Sequence, residues 1–113
     1  MRGADADRTA LQDMRRHAAR ARSYSASGRA SLDDEMTRDA VLYALAIVGE
    51  AANRVTEELR AAHPEVAWRR IVNQRNILVH VYDQLDLDLV WQAIELLPAL
   101  QSEIESILES LDE

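Results

Sequence analysis

Apolar side chains recur every three to four residues through the middle of this chain, and this pattern constrains the fold most strongly. The residues on the line are Val41, Leu42, Leu45, Val48, Ala52, Val55 and Leu59. A helix with 3.6 residues per turn places residues at this spacing on one face. The pattern predicts one long helix over residues 32–62 at the centre of the core, and Ser31 is typical of a capping box at its start.

The rest of the chain also favours helices. Its hydrophobic content of 48% comes mostly from Ala, Leu and Val, and with three Gly, two Pro and no Phe it offers little to β-strands. Helical spacing predicts a first helix over residues 6–26 and a third over 65–81. Asp86 is suited to cap a fourth helix, which Pro98 should kink or divide. The predicted fold class is therefore all-α, an up-and-down bundle of four to five helices.

The length of 113 residues corresponds to one ordinary domain, so residues 1–113 are predicted to form a single domain with frayed ends at 1–5 and 108–113. The chain has no Cys, which excludes disulfides and thiolate metal sites and is compatible with a reducing compartment. We find no apolar signal core at the N-terminus and no apolar run of membrane-spanning length. The expected location is cytoplasmic.

The charge of the chain is unevenly distributed. The net charge is −7, which at first argues against a nucleic-acid partner, but residues 1–31 carry seven Arg against three acids, whereas residues 83–113 carry nine acids and no Arg. Arg8, Arg15 and Arg22 recur every seven residues along the first predicted helix. This basic stripe is either a solvated face or an edge that binds successive phosphates of a nucleic acid.

The residues capable of chemistry gather in one stretch, Arg75 to Tyr82. In an α-helix, at about 100° per residue, Asn76 and His80 would lie one turn apart, and Arg75 and Tyr82 would share an adjacent side. A cation, an amide, an imidazole and a phenol would then occupy one polar sector. The alternative interpretation is a surface helix with an incidental histidine.

Gly49 and then Glu50 interrupt the apolar run of the long helix, and two small residues, Ala51 and Ala52, follow. The small residues predict that another helix approaches closely at this point. Glu50 is expected at the edge of this contact, where it would either pair with an Arg or remain an exposed acid.

His80 is the plausible general acid or base of the motif, because imidazole titrates near neutrality. His17 and His63 lack a supporting carboxylate pattern, so no metal site is expected. A proton-transfer group beside a fixed cation suits metal-independent cleavage of an RNA phosphodiester by its own 2′-hydroxyl. This reaction needs both an acid and a base, and a symmetric dimer that joins two copies of the motif would supply them.

The stretch Arg75-Asn76-Ile77-Leu78-Val79-His80-Val81-Tyr82 resembles the R-x4-H-x-Y motif of the HEPN superfamily, and specifically of the HepT-like ribonuclease toxins. Three further parts of the chain look like the same family, and they lie at residues 40–42 with 48–52, at 64–69, and at 86–91 with 97–100. An R-x4-H pattern alone arises readily by chance. The ordered set is specific, and the resemblance covers residues 10–105.

This resemblance implies a dimeric all-α bundle whose two motif helices meet in a cleft that cleaves RNA without metal or cofactor. Arg75 and His80 would be catalytic, and Asn76 would position phosphate or imidazole, with Glu50 in a supporting role. The resemblance further implies the toxin of a type VII toxin–antitoxin pair. Its cognate minimal nucleotidyltransferase antitoxin would neutralise it by AMPylation of Tyr82, and transfer RNA is the family-level substrate.

The chain departs from the family pattern at two positions. Val81 stands where Gly or a polar residue is usual, and it would narrow the end of the helix around Tyr82. Asn73 stands where a small residue is usual, and it would alter dimer packing. Two other functions remain open. One is a catalytically idle subunit that presents nucleotide or substrate to a nucleotidyltransferase, and the other is a structural dimerisation bundle.

Overall fold

The computed structural model describes residues 2–79 and 85–112, with only the backbone described at Arg2 and at 77–79. It contains six α-helices and two short 3-10 helices. The α-helices are α1 (Arg2–Tyr24), α2 (Glu35–Arg54), α3 (Glu57–Ala62), α4 (Trp68–Asn73), α5 (Leu87–Glu95) and α6 (Leu97–Leu111). The 3-10 helices are Arg29–Asp33 and Gln74–Val79. The described residues form no strand, and the predicted all-α class is confirmed.

The core lies between α1, α2 and α6. Each of these helices buries one apolar stripe, as their sequence spacing predicts. The most deeply buried large side chains are Leu11, Met14, Leu32, Leu42, Leu45, Ile71, Leu97, Ile104, Val41, Val48 and Val55. The burial of Ile107 and Leu108 carries the packing of α6 into the segment where fraying is predicted.

The long helix predicted over residues 32–62 is two helices, and the prediction of a single one is wrong. α2 ends at Arg54, and α3 begins at Glu57 after two residues in extended conformation, Val55 and Thr56. The hydroxyl of Thr56 accepts a hydrogen bond from the Leu59 backbone N–H at 3.2 Å and so caps α3. Val55 and Leu59 are both buried, which is why the apolar spacing continues across the break.

The buried carboxylate of Asp7 holds this break in place. One of its oxygens accepts a hydrogen bond from the Thr56 backbone N–H at 2.8 Å, and the other accepts one from the Thr56 hydroxyl at 2.8 Å. Because Asp7 lies near the start of α1 and Thr56 follows the end of α2, the two helices are antiparallel. The pairing joins positions 49 residues apart, so no local pattern indicates it.

The start of α2 also differs from the prediction. Asp34 caps the helix, because its carboxylate accepts hydrogen bonds from the backbone N–H and the hydroxyl of Thr37. Ser31 lies within the first 3-10 helix, and its hydroxyl is buried without a hydrogen-bond partner among the described residues. The capping box predicted at Ser31 is therefore wrong, and the cap lies three residues later.

The two predictions for the C-terminal third are confirmed. The carboxylate of Asp86 accepts hydrogen bonds from the backbone N–H groups of Asp88 and Leu89 and caps α5. Pro98 lies in the first turn of α6, and the helix is divided there, with Leu96 between its two parts. Within residues 2–79 and 85–112, no helix combines the length and the apolar character needed to cross a membrane.

Candidate nucleic-acid site

The motif does not continue one α-helix, and the prediction of a helix over residues 65–81 is wrong in two respects. α4 begins only at Trp68, whose indole N–H donates to the His63 carbonyl at 2.9 Å, and it ends at Asn73. The backbone then tightens into the 3-10 helix Gln74–Val79. A 3-10 helix has three residues per turn, so the angles expected for an α-helix do not apply to Arg75 and Asn76.

Arg75 and Asn76 are the two predicted site residues of the motif that the structure describes, and both are exposed. His80, Val81 and Tyr82 lie outside the described residues. The predicted common face of Arg75, Asn76, His80 and Tyr82 therefore stays a prediction.

Gly49 allows the motif segment to touch the backbone of α2. A Cβ atom at this position would lie 2.6 Å from the Arg75 backbone nitrogen and 2.6 Å from the Ile71 carbonyl oxygen. It would also lie 3.2 Å from the carbonyl carbon of Gln74. Contacts this short are not tolerated between backbone groups, so the crossing requires glycine. The close approach predicted from the small residues of this region is confirmed, and the approaching element is the motif itself.

Glu50 follows Gly49 on α2 and is exposed. It forms no ion pair within 4.0 Å with any described residue. Of the two interpretations of Glu50, an exposed acid describes its present surroundings. Its supporting role in the site stays a prediction.

The basic stripe of α1 is occupied by contacts with α6. Arg8 pairs with Asp112, Arg15 pairs with Glu105 at 3.1 Å, and Arg22 donates to the amide oxygen of Gln101 at 2.6 Å. Because α1 and α6 are antiparallel, the three arginines meet their partners in reverse order, at Asp112 just after α6 and then at Glu105 and Gln101 within it. Acidic residues near the C-terminal end thus neutralise Arg8 and Arg15, whereas Arg22 bonds to a neutral amide. These contacts favour packing over phosphate binding for this stripe.

Three arginines of α4 and the second 3-10 helix lack such a partner within the part of the chain that the structure describes. Among the described residues, Arg69, Arg70 and Arg75 form no ion pair within 4.0 Å and no side-chain hydrogen bond. Partial burial lowers the pKa of Arg70, an effect that nearby Glu103 opposes, but a guanidinium stays charged at neutral pH. Although the net charge is −7, residues 69–75 thus carry three arginines without an ion pair to any described residue.

A pocket opens next to these cations, between α4, the second 3-10 helix and α5. Its volume is about 390 Å³. Four of its lining residues carry side-chain amides, namely Asn73, Gln74, Asn76 and Gln92. The others are Arg70, Leu85, Asp86, Leu89, Val90, Ala93 and Leu96. We call this cavity the amide pocket.

Gln74 lines the amide pocket with a side chain that is only 6% exposed. Neither its amide oxygen nor its amide nitrogen has a hydrogen-bond partner among the described residues. Leaving one buried polar group unpaired costs about 1–3 kcal/mol. Sequence reasoning did not single out Gln74, because a glutamine beside the motif gives no signal of its burial.

The comparisons with known proteins agree with this fold and motif. The family model described as "Ribonuclease HepT-like" matches residues 14–107. This match covers most of the chain, including the long α2 helix, Gly49 and the motif. The chain belongs to the HepT-like family of the HEPN superfamily.

Several curated proteins are similar over the same region. A protein of Methanocaldococcus jannaschii, named as a candidate RNase (MJ1380), is 36% identical over 77 residues, which are 67% of this chain and 71% of that protein. "Probable ribonuclease HepT" of Thermococcus cleftensis is 34% identical over 77 residues, 67% of this chain and 70% of that protein. A candidate RNase of Caldanaerobacter subterraneus (TTE0752) is 32% identical over 78 residues, 68% and 69% of the two chains. No solved structure matches this chain.

Proposed function

We propose that this protein is a metal-independent endoribonuclease and the toxin of a type VII toxin–antitoxin pair. The observation that carries the proposal is the placement of Arg75. Its backbone is fixed against Gly49 on α2, while its side chain is exposed. Like Arg69 and Arg70, it forms no ion pair within 4.0 Å with any described residue. A fixed cation on an exposed surface is what binding of a phosphodiester requires.

The reaction follows from the residues of the motif. His80 accepts the proton of the ribose 2′-hydroxyl as its oxygen attacks phosphorus, and the bond from phosphorus to the 5′-oxygen breaks. A second acid returns a proton to that 5′-oxygen, so the products are a 2′,3′-cyclic phosphate and a 5′-hydroxyl. Arg75 stabilises the negative charge on the phosphate oxygens in the transition state. Asn76, next to Arg75, orients the phosphate or the imidazole.

A homodimer supplies the second acid in this proposal. Each chain brings one motif, and two motifs in one cleft provide two copies of His80 and two of Arg75. Several family relatives carry ribonuclease in their names, which supports the reaction class. Transfer RNA is the proposed substrate.

The proposed control of the toxin acts on Tyr82. In a cognate minimal nucleotidyltransferase antitoxin, the Tyr82 phenol oxygen, having lost its proton, attacks the α-phosphorus of ATP, and the bond to the β-phosphate breaks, so that AMP is transferred and pyrophosphate leaves. The new phosphate and adenine then compete for the cation that binds RNA, Arg75. Intact mass of the protein expressed with and without its antitoxin tests this step, and an added mass of AMP that Tyr82→Phe abolishes is the expected result.

The test of the nuclease uses purified protein, free of antitoxin, on total cellular RNA in excess EDTA. Wild type is compared with His80→Ala and Arg75→Ala, and intact mass confirms that Tyr82 carries no AMP. Discrete fragments ending in 2′,3′-cyclic phosphate, produced by the wild type alone, are expected. No cleavage by the unmodified wild type would contradict the proposal and favour the idle nucleotide- or substrate-binding subunit.

A further inference from the structure

We propose that the amide pocket binds one nucleobase of the RNA, next to the phosphate held by Arg75. The pocket has the size range typical of small-molecule sites, and it combines an apolar wall with a few polar groups. The identity of the ligand as RNA depends on the proposed function. The pocket is defined by described residues alone.

The amides of the pocket match the edge of a base. A base edge presents hydrogen-bond donors and acceptors side by side, and Asn or Gln recognises such an edge with its oxygen and nitrogen together. Asn73, Gln74, Asn76 and Gln92 provide four such groups around one cavity. Leu89 and Leu96 provide apolar surface for the ring face, in keeping with proteins that read unstacked bases of single-stranded RNA.

Gln74 is the strongest indication that a polar ligand enters. Its amide is buried with both polar atoms unpartnered among the described residues, although it lines the pocket. A planar ligand with an adjacent donor and acceptor would satisfy both atoms at once. An apolar ligand would satisfy neither.

The position of the pocket would bring a bound base close to the phosphate that Arg75 is proposed to bind. Asn76 lines the pocket and is the next residue after Arg75, and Arg70 lines it as well. A nucleotide whose phosphate lies on these cations would therefore bring its base to the amides. This arrangement makes the pocket a determinant of the base beside the cleaved bond.

A second copy of this chain is the competing occupant. Leu89 is 61% exposed and Leu96 is 44% exposed, and such leucines can also pack against another protein. The four amides favour the base, because a leucine-rich contact would bury them without partners. The experiment treats this occupant as a distinct outcome.

The first experiment titrates the protein with each of the four nucleoside 5′-monophosphates in EDTA and follows the side-chain amide signals by ¹⁵N NMR. The signals of Gln74 and Gln92 are expected to shift, with one base preferred. The amide of Gln12, exposed on α1 and outside the pocket, is the internal control. Shifts that are equal at Gln12 and Gln92, or absent, would overturn the proposal.

Two variants separate binding from structure. Gln74→Leu keeps a similar side-chain volume and removes the buried amide. It should lower the affinity for the preferred nucleotide on the order of tenfold without lowering the unfolding temperature. Gln92→Ala should also weaken binding, whereas the matched control Gln12→Ala should not. A Gln74→Leu protein that is less stable but binds normally would assign the amide a structural role and overturn the proposal.

Mapping of RNA fragment ends distinguishes this inference from the proposed function. If wild type cleaves with a base preference that Gln74→Leu and Gln92→Ala relax, the inference is supported. If these variants cleave with unchanged preference, the pocket proposal fails while the nuclease stands. If mononucleotides bind in the pocket but no RNA is cut, the nuclease proposal fails while the pocket proposal stands.

The competing occupant gives a different result. NMR signals of Leu89 and Leu96 that shift with protein concentration, together with loss of nucleotide binding at high concentration, would identify a second copy of the chain in the pocket.

Discussion

Gly49 and Arg75 are in backbone contact, and a Cβ atom at Gly49 would lie 2.6 Å from the Arg75 nitrogen. This contact connects the central helix α2 to the 3-10 helix that carries the motif. It means that the position of Arg75 depends on a residue 26 positions earlier in the chain.

The substitution Gly49→Ala should push the motif segment away from α2. We expect a loss of about 1–3 kcal/mol in the free energy of unfolding, as for other overpacked sites. RNA cleavage should fall with it, since Arg75 moves. Gly3→Ala is the matched control, because Gly3 lies in α1 with nothing within 4 Å of the added Cβ. Denaturant unfolding and a cleavage assay measure both effects, and a Gly49→Ala protein of unchanged stability and activity would contradict the role of the crossing.

Removal of the Asp7 carboxylate should destabilise the junction of α2 and α3. In Asp7→Ala, the Thr56 N–H and hydroxyl lose their acceptors at a site where Asp7 is only 5% exposed, so we expect a loss of about 2 kcal/mol. Asp5→Ala, at an exposed position of the same helix, should change little. A double-mutant cycle with Thr56→Val gives the coupling energy, and additivity of the two single changes would refute the pairing.

The cap of α2 should make the free energy of unfolding depend on pH in the acidic range. The hydrogen bond from the Thr37 backbone N–H, and then the one from its hydroxyl, hold the pKa of Asp34 below its ordinary value. Because the folded pKa is lowered, the stabilisation is present above the ordinary value and is lost as the pH falls through the lowered pKa, below about pH 4. Asp34→Asn keeps an acceptor without titrating and should flatten this part of the pH profile, whereas Asp33→Asn should not. NMR titration of the Asp34 carboxyl provides the direct measurement.

RNA binding should depend on which arginines are removed rather than on total charge. The pair Arg69→Gln/Arg70→Gln should weaken RNA binding and reduce its salt dependence, because these side chains have no described carboxylate partner. The pair Arg8→Gln/Arg15→Gln removes the same charge from side chains already paired with Asp112 and Glu105, so affinity should change little. Affinities at several salt concentrations measure the difference. Equal losses in both double variants would show that only net charge matters.

The sequence alone predicted the features that arise from local spacing and capping. The apolar stripes of α1, α2 and α6, the cap at Asp86 and the division at Pro98 all depend on residues within a few positions of each other. Small residues around Gly49 likewise predicted a close helix approach. Such patterns are readable because they reflect the preferences of the backbone and of one helix face.

Other features arose only when distant parts of the chain met. The break at Thr56 is held by Asp7, and Arg8 and Arg15 of α1 pair with acids at the C-terminal end of the chain. The 3-10 geometry of the motif and the burial of Gln74 accompany contact with α2. A sequence pattern specifies which face of a helix is apolar, but it does not specify which polar groups will face each other across the fold. The apolar faces of the helices were therefore determined by the sequence alone, whereas tertiary packing decided the helix break, the amide pocket and which arginines lack a described carboxylate partner.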